Sequence, residues 1–576
     1  MPKLDWIGKK AVVNHHREVP FHLLRSNDEL SVGDPGSGNL LVQGDNLLAL
    51  KALLPYYARQ VKCIYIDPPY NTGNEGWVYN DNVNSPEMRE WLGRAVGKEA
   101  EDLSRHDKWL CMMYPRLALL REFLRDDGAI FISIDDNEYA NLCLLMREVF
   151  GEQNEVATLV WEKGKKGDSK LVSETHEYIL VFANNKGYLT AKNIKWRKRK
   201  AGVDAVLQQY VELRASLGSD HNAIRKAMMA WYRALDKKDP RKAHKHYNWS
   251  DDKGLYFAAD FAGPDDGRES RPRYDIFHPV TQKTCAKPST GWRWDEETTR
   301  LALAETPPRI HFGKDETTIP NRKSYLFEVD QEPLMSVFYK DGRAATLEVE
   351  GILGEGAFPF PKDSDSLAEL IGVVADDDDI VMDSFGGSGS TAHAVMKLNQ
   401  AVGGHRKYIL VEMDDEVCRT KTRTRLEKAV EGYEYIPKKG KPSSISALGG
   451  GFRFCELGEP LFDERGNIRP TVSFADLARH AYFTETGEPL PAKALLDSPL
   501  LGIHNGTAVY LLYNGILKDK TQRGGNVLTT TILSALPGHD GPKVIYGAAC
   551  RIDQERLRRE GIVFKQLPYK LKVGVA

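Results

Sequence analysis

The sequence predicts an α/β fold, in which a parallel β-sheet is covered by helices on both faces. Two observations predict it. Short apolar runs of strand length, such as 61–66, end in turn residues, and each is followed by a stretch whose apolar residues recur at helical spacing. The 576 residues suit about three or four domains.

The first alternating segment begins near residue 40. A strand over 40–42 leads through Gln43-Gly44-Asp45-Asn46 into a helix that we expect to end at Pro55. VKCIYI at 61–66 is typical of a buried parallel strand, and Asp67-Pro68-Pro69 stops it. Further elements are predicted as a helix over 104–125, a strand over 129–134, a helix over 138–150 and a strand over 156–161.

The alternation is lost between about 163 and 319. This segment is basic, aromatic and punctuated by Gly and Pro, with one helical stretch over 205–235, and we interpret it as an inserted domain. A βαβ unit follows it, with elements predicted as a helix over 366–374, a strand over 379–382, a Gly-rich turn, a helix over 390–398 and a strand over 407–411.

Composition excludes several classes of protein. No run of 18 or more apolar residues and no apolar signal region occurs, so we expect a cytoplasmic protein that does not enter a membrane. The seven cysteines form no C-x-x-C pair, which argues against a disulfide framework and against a zinc site, and no metal is expected. Because the net charge is only -2, a nucleic-acid surface would need local basic segments such as KWRKRK at 195–200, which could also be a solvated face.

The first candidate site is Asp67-Pro68-Pro69-Tyr70. An ordinary turn is the alternative, but ligands of α/β proteins bind beyond the carboxyl ends of strands, where this motif lies. An exocyclic amine of a nucleobase is a poor nucleophile, and hydrogen bonds to Asp67 and to the Pro68 carbonyl would shift its nitrogen toward sp3 geometry. Tyr70 offers a ring on which an extruded base can stack.

The second candidate site is the turn DSFGGSGST at 383–391. A nucleophilic serine motif fails here because Ser390 stands where glycine is required, and a phosphate-binding loop fails because no Lys is in place. A dinucleotide site remains open, since Glu412 ends the next strand, where an acid binds ribose hydroxyls. The same acid would serve any adenosyl ligand.

These two motifs resemble the catalytic and cofactor motifs of the DNA amino-methyltransferases. Their order, with the catalytic motif first, resembles the circularly permuted β class. DPPYNTG, TLVWEKG, FPFPK, STAHAV and YILVEM are most similar to modification subunits of type III restriction-modification systems. The resemblance implies a Rossmann-like fold that depends on S-adenosylmethionine, with an inserted target-recognition domain and a small C-terminal domain.

The resemblance also implies roles for individual residues. Asp45 would contact the cofactor adenine, Glu412 would bind the ribose, and Phe360 and Lys362 would help to hold the methionine end. The remaining cofactor-binding residues would be Asp383, Phe385, Gly387, Ser388, Gly389 and Thr391. Gly386 and Ser390 depart from the family pattern, where Ala and Thr are expected.

The inserted segment is where DNA recognition is expected. Cations interleaved with aromatic residues favour a DNA-facing module, although a folded domain with a basic surface would look the same. The candidate DNA-binding residues are Lys195, Trp196, Arg197, Lys198, Arg199, Lys200, Arg241 and Lys242. The partners that we expect are double-stranded DNA and, by resemblance, a second copy of the chain and an ATP-dependent helicase-nuclease subunit.

The predicted reaction is methyl transfer from S-adenosylmethionine to N6 of a flipped adenine. Carbon-5 methylation of cytosine is disfavoured because no Cys follows a Pro. Adenine is favoured over cytosine N4 because cytosine enzymes of the family more often carry Ser in place of Asp67. Two alternatives stay open, namely methylation of cytosine N4 and a catalytically idle DNA-binding subunit of a defence complex.

The predicted domain boundaries follow from these assignments. They are an N-terminal extension over 1–39, the catalytic half of the methyltransferase domain over 40–185, a target-recognition domain over 186–318, the cofactor-binding half over 319–436, a linker over 437–451 and a C-terminal domain over 452–576.

Overall fold

The computed structural model describes residues 4–72, 104–164, 171–266, 271–435, 442–463, 468–491, 498–513 and 525–567. Its contacts divide the chain into two compact units. Unit 1 comprises Met1–Lys195 with Met335–Ala576, and unit 2 comprises Trp196–Leu334.

The strands of the described residues, in chain order, are β1 His22–Gly33, β2 Leu40–Gln43, β3 Val61–Ile66, β4 Leu124–Ile134, β5 Glu155–Glu162, β6 His176–Ala183, β7 Lys198–Arg199, β8 Trp249–Ser250, β9 Leu255–Ala259, β10 Ile310–His311, β11 Asn321–Tyr325, β12 Gln331–Glu332, β13 Val337–Tyr339, β14 Ile380–Asp383, β15 Lys407–Glu412, β16 Tyr433–Tyr435, β17 Ser443–Ile445, β18 Gly451–Pro460, β19 Leu500–His504, β20 Thr507–Leu511, β21 Val527–Leu528, β22 Lys543–Gly547, β23 Ala549–Cys550 and β24 Ile562–Gln566.

The α-helices of the same residues are α1 Lys9–Val12, α2 His15–Glu18, α3 Asn46–Tyr57, α4 Arg105–Phe123, α5 Tyr139–Phe150, α6 Lys186–Ala191, α7 Val203–Leu217, α8 His221–Ala234, α9 Glu296–Ala304, α10 Gly342–Leu353, α11 Ser364–Val374, α12 Ser390–Val402, α13 Arg423–Glu431, α14 Phe474–Thr486, α15 Thr530–Ala535 and α16 Gln554–Arg559.

Unit 1 is built on a ten-stranded sheet in the order β1-β18-β2-β15-β14-β3-β4-β6-β5-β13. Strands β18, β2, β15, β14, β3 and β4 pair in parallel, whereas β1 and β6 run antiparallel to their neighbours. All six residues of β3 are buried, as expected of a strand covered on both faces. The predicted α/β fold is confirmed, and the carboxyl ends of β3, β14 and β15 lie at one edge.

Strand β6 corrects the prediction that regular structure fades after residue 163. It lies between β4 and β5 and runs antiparallel to both, so the sheet is mixed and not entirely parallel. Pro55 does not end α3, which continues to Tyr57, because a proline in the last turn removes only one backbone hydrogen bond. The stretch over 205–235 is two helices, α7 and α8, separated near Gly218.

The predicted boundaries at both ends of unit 1 also change. The boundary at 452 falls inside β18, which pairs with β1 from the predicted N-terminal extension and with β2. Both segments therefore belong to the main sheet. Residues 437–441 of the predicted linker lie outside the described residues, and β17 occupies part of the remainder. Beyond β18, the predicted strands over 509–512 and 544–546 are present as β20 and β22 of a four-stranded sheet.

Unit 2 has its own core. Helices α7 and α8 pack through Val203, Val206, Ile224 and Met228 against residues that include Tyr247. A four-stranded sheet in the order β10-β11-β9-β8 and a short β12-β7 pair complete the unit. The compact unit is 196–334 where 186–318 was predicted, because β11 and β12 pair within it and α6 contacts β4 of unit 1. In the part of the chain that the structure describes, no helix is long and apolar enough to span a membrane.

Candidate active site

Asp67 directly follows β3, and Asp383 is the last residue of β14, the neighbouring strand of the main sheet. Because β3 and β14 pair in parallel, both carboxylates lie at the same sheet edge. They line one cavity, whose other lining residues are Tyr65, Phe358, Phe360, Pro361, Lys362, Phe385, Gly386, Gly387, Ser388, Ser390 and Thr391. The structure thus brings together two motifs that are far apart in the sequence.

The loop that carries Asp67-Pro68-Pro69-Tyr70 is fixed by buried partners. Trp109 is fully buried in α4, and its Nε1 donates to the Pro69 carbonyl over 2.7 Å. Asn71 adopts a left-handed conformation with φ of 58°, which Asn tolerates better than most residues. Its side chain donates to the buried Glu138 carboxylate and, over 3.2 Å, to the Arg105 carbonyl. These contacts hold the loop rigid on both sides of Tyr70.

Lys362 lies against the catalytic motif itself. Its Nζ is 2.9 Å from Asp67 Oδ1, donates to Tyr70 Oη over 2.8 Å, and lies 4.9 Å from the centroid of the Tyr70 ring. The Lys362 side chain is only 7% exposed. The resemblance assigned Lys362 to the methionine end of the cofactor, but in this structure its partners are Asp67, Tyr70 and Glu177.

Burial and charge act in opposite directions on this cluster. Burial raises the pKa of Asp67, with Lys362 opposing the shift and the Glu177 charge adding to it. Burial also opposes ionisation of Glu177, but Lys362 and Lys163 outweigh it and lower the pKa of that carboxyl. Asp67 therefore takes up a proton more readily than Glu177.

The second motif forms a tight loop between β14 and α12. Asp383 accepts hydrogen bonds from the Thr391 hydroxyl over 2.6 Å and from the Phe385 N–H over 2.9 Å. Burial raises the pKa of Asp383 to about 7, against the effect of these two bonds. Gly387 has φ of 50°, and its N–H donates to Glu412 Oε2 over 2.7 Å, which joins the loop to the end of β15.

The segment upstream of the catalytic motif is held by a buried arginine. Asp45 caps α3 by accepting from the N–H groups of Leu47 and Leu48, so it has a structural role beside the predicted contact with the cofactor. Arg116 is 1% exposed, donates to Asn46 Oδ1, and lies 3.5 Å from Asp45 Oδ2. Asn46 in turn donates to the Ser384 carbonyl over 3.4 Å, which connects this segment with the cofactor loop.

Phe360 is the most exposed of the predicted cofactor residues. Its side chain is 69% exposed, at the mouth of the cavity, and its φ of 49° is in the left-handed region. A non-glycine residue with this conformation is strained, and such strain is concentrated at functional sites.

Several candidate DNA-binding side chains already have acidic partners. Arg199 pairs with Asp204 and, over 2.8 Å, with Asp330. Lys198 pairs with Glu332, and Arg241 with Asp239. Lys242 donates to the Leu235 carbonyl. Lys195 and Arg197 are exposed, whereas Trp196 and Lys200 are partly buried. No group of three or more potential metal ligands occurs among the described residues.

Sequence reasoning missed Glu177, Arg116 and Trp109, which shape the site, and also Arg425, whose guanidinium donates to the Ser388 and Ser390 hydroxyls of the second motif. The run YILVFA at 178–183 is a strand signal that could have drawn attention to Glu177 beside it. A lone Arg or Trp within an amphipathic helix gives no comparable signal, because its role depends on contacts across the fold.

The cavity suits a cationic adenosyl ligand. Two acids whose pKa values are raised by burial, Asp67 and Asp383, face it, and a positive charge there would favour their ionised forms. Glu412 ends β15 beside this loop, where its two carboxylate oxygens accept from the N–H groups of Gly387 and Asp414. The sheet, the loop and these acids define a Rossmann-like methyltransferase that depends on S-adenosylmethionine.

Comparisons with known proteins agree with this class. The DNA methylase family matches residues 61–423, so the chain belongs to that family. It is 35% identical over 447 residues to the Mod subunit of the type III restriction-modification enzyme EcoP15I of Escherichia coli, covering 75% of this chain and 67% of that one. It is 32% identical to the StyLTI Mod subunit of Salmonella typhimurium, covering 99% of this chain and 89% of the relative.

The chain is 29% identical to a type II methyltransferase, M.KpnI of Klebsiella pneumoniae, in an alignment that covers 68% of this chain and 84% of the relative. The protein is an adenine-specific DNA methyltransferase of the type III modification kind, and S-adenosylmethionine is its methyl donor.

Proposed function

We propose that methyl transfer takes place in the cavity between the two motifs, on an adenine extruded from double-stranded DNA. Asp67, Pro68, Pro69 and Tyr70 would receive the base, and the loop over 383–391 would hold the cofactor. The observation that supports this proposal is the convergence of Asp67 and Asp383 on one cavity. The order of the motifs, catalytic before cofactor, further supports a circularly permuted member of the fold.

The residues present account for binding of the cofactor. Asp383 would face its ammonium group, Glu412 its ribose and Asp45 its adenine, with Phe360 at the mouth of the cavity. When bound, S-adenosylmethionine supplies a methyl carbon attached to a positively charged sulfur.

Asp67 and the Pro68 carbonyl would accept hydrogen bonds from the two N–H groups of adenine N6. These bonds would direct the lone pair of N6 toward the methyl carbon. Tyr70 would stack on the base and keep it out of the duplex. Asp67 would then take the proton that N6 releases, once the nitrogen–carbon bond has formed and the carbon–sulfur bond has broken with its electron pair left on sulfur. The raised pKa of Asp67 suits this acceptor role.

Substitution of Asp67 tests the site. Asp67→Ala should abolish transfer of labelled methyl groups to DNA, whereas S-adenosylmethionine should still bind, because the loop over 383–391 would hold it. Asp34→Ala, which removes an exposed turn cap, is the matched control and should keep wild-type activity. Mass spectrometry of digested DNA should find N6-methyladenine, and N4-methylcytosine as the product would contradict the proposal. A retained activity in Asp67→Ala would favour a different catalytic group.

We also propose that unit 2 is the target-recognition domain, that the chain forms a homodimer, and that it works with a restriction subunit. The basic segment over 195–200 supports the first proposal. The names of the relatives, which are subunits of restriction-modification enzymes, support the last. Light scattering on the purified chain, with and without a specific duplex, would measure the number of copies.

An idle DNA-binding subunit is disfavoured because Asp67 and Tyr70 are both intact.

A further inference from the structure

Glu177 is a buried carboxylate at the edge of the sheet where the two motifs meet. It is the second residue of β6, and its side chain is 5% exposed. Because β6 runs antiparallel to β4 and β5, its first residues lie beside the last residues of those strands, with Glu177 opposite Trp161. An acid at the start of this strand therefore reaches the active-site edge.

The contacts of Glu177 all fall on one of its oxygens. Oε2 accepts from Tyr70 Oη over 3.1 Å and lies 2.5 Å from Lys163 Nζ and 3.4 Å from Lys362 Nζ. Oε1 is buried, and no described residue donates a hydrogen bond to it. An acceptor that is buried without a donor is unfavourable, so with respect to the described residues Oε1 can accept from a nearby N–H group.

Lys362 is the donor that could move into that position. In this structure its ammonium pairs with Asp67 Oδ1 at 2.9 Å and lies over the Tyr70 ring, 4.9 Å from the centroid. The amine of a target adenine has to donate to the same carboxylate and to lie over the same ring. Lys362 therefore occupies an acceptor position of Asp67 that the target amine would use, and movement of its ammonium to Glu177 would open that position to the base.

We propose that Glu177 is a positioning residue of the methyl-transfer site, which takes over the Lys362 ammonium when the target amine binds Asp67. This inference rests on the proposed function of Asp67. The transfer is short, because Lys362 Nζ is already 3.4 Å from Glu177 Oε2, and an ammonium has three N–H donors. After the move, both ammonium groups pair with Glu177 and Asp67 accepts hydrogen bonds from the target amine, so each of these buried charges keeps a polar partner.

The bond from Tyr70 gives Glu177 a second positioning effect. Tyr70 Oη donates to the Glu177 carboxylate and accepts from the Lys362 ammonium. The orientation of the Tyr70 ring is therefore coupled to the position of that ammonium. Tyr70 would thus offer its ring to the base while Lys362 moves toward Glu177.

Glu177→Gln is the primary test, carried out on the full chain with a specific duplex under single-turnover conditions. The variant keeps the shape of the side chain but leaves one carboxylate for two ammonium groups, so Lys362 stays on Asp67. We expect the rate of methyl transfer to fall about a hundredfold, the effect of a misplaced reacting group. Dissociation constants for S-adenosylmethionine and DNA should stay within about threefold. Glu155→Gln, which breaks the 2.7 Å pair between Glu155 of β5 and Arg147 of α5, is the matched control.

A double variant separates positioning from a merely structural role. Lys362→Met in the Glu177→Gln background removes the competing ammonium and restores charge balance, so the rate should recover by about tenfold relative to Glu177→Gln. If Glu177 only maintained the fold, the second substitution would add damage. A double variant no faster than Glu177→Gln, or a Glu177→Gln rate within about threefold of wild type, would overturn the inference.

The pH profile gives an independent readout. The charged or titratable groups around Asp67 are Lys362, Glu177, Lys163, Asp383, Tyr65 and Tyr70. Removal of the Glu177 charge should shift the acid limb of the rate to lower pH, because that charge raises the pKa of Asp67. Glu177→Asp keeps the charge and should leave the acid limb in place, with a smaller loss of rate than Glu177→Gln.

Glu177→Asp also keeps the inference testable if Glu177→Gln does not fold. Equal losses in the Asp and Gln variants would count against it, as would an unmoved acid limb in Glu177→Gln. Asp67→Ala separates this inference from the proposed function. An active Asp67→Ala enzyme would refute the assignment of Asp67, whereas an inactive one together with a fully active Glu177→Gln enzyme would refute the role of Glu177 alone.

Discussion

The buried guanidinium of Arg425 donates to the Ser388 hydroxyl over 2.9 Å, beneath the loop that follows β14. The same side chain donates to Ser390 Oγ over 2.9 Å and to Glu348 Oε2 over 2.8 Å. One arginine from α13 thus ties the proposed cofactor loop to α10. Arg425 and Thr422, which donates to the Gly387 carbonyl over 2.6 Å, both support the loop.

Substitution of Arg425 should weaken both the fold and cofactor binding. Arg425→Met removes one donor each from Ser388 Oγ, Ser390 Oγ and Glu348 Oε2 in a buried position, so we expect a loss of about 1–3 kcal/mol in the free energy of unfolding. The dissociation constant for S-adenosylmethionine should rise by about tenfold. Urea unfolding and calorimetric titration measure the two effects. Arg423→Gln removes a pair with Glu427 on the same helix and should leave the dissociation constant unchanged.

Asp383 should make the stability of the ligand-free protein depend on pH. Its pKa is raised by burial from 3.8 to about 7, so between these values the unfolded chain loses a proton that the folded chain keeps. The contribution of this group to the free energy of unfolding is present below pH 3.8 and is lost as pH rises to about 7. At about 1.36 kcal/mol per pKa unit, the loss amounts to about 4 kcal/mol.

Comparison with Asp383→Asn isolates this contribution from other titrating groups. The free energy of unfolding of the wild type minus that of the variant should decrease from pH 4 to pH 7 and stay level above. Urea unfolding at several pH values gives the difference. A difference that does not change with pH would contradict the raised pKa.

The sequence was sufficient to predict the parts of the fold that have local signals. Strands β3, β14 and β15 are apolar runs that end at acids, and the adjoining helices have clear apolar spacing. The pairing of β1 with β18 has no such signal, because it joins residues from opposite ends of the chain. The domain boundaries near 39 and 452 were wrong for that reason.

Residues of the candidate site were predictable only where they belong to a sequence motif that by itself indicates a reaction or a ligand. Asp67 and Asp383 belong to such motifs. Glu177, Lys163 and Lys362 come from separate elements, and their meeting depends on the antiparallel direction of β6, which periodicity cannot predict. The sequence indicated that Lys362 belongs to the site, but it gave no reason to expect that its ammonium would contact Asp67.

Trp109 should affect catalysis through the backbone of the catalytic motif. Trp109→Phe removes the indole N–H that holds the Pro69 carbonyl at 2.7 Å, in a fully buried position. We expect a loss of about 1–3 kcal/mol in stability. The single-turnover rate should fall by about tenfold or more, since small displacements of positioning groups have large effects on rate. A normal rate in a folded Trp109→Phe enzyme would mean that Pro68 and Tyr70 are placed without this bond.

The salt dependence of DNA binding should distinguish the exposed cations from the paired ones. Each phosphate contact contributes about 0.9 to the slope of the logarithm of affinity against the logarithm of salt concentration. Lys195 and Arg197 are exposed, so Lys195→Gln and Arg197→Gln should each reduce the slope by about one. Arg199→Gln is the matched control, because Arg199 is paired with Asp204 and Asp330. Its slope should stay at the wild-type value. An equal reduction in all three variants would mean that the pairs of Arg199 open on DNA.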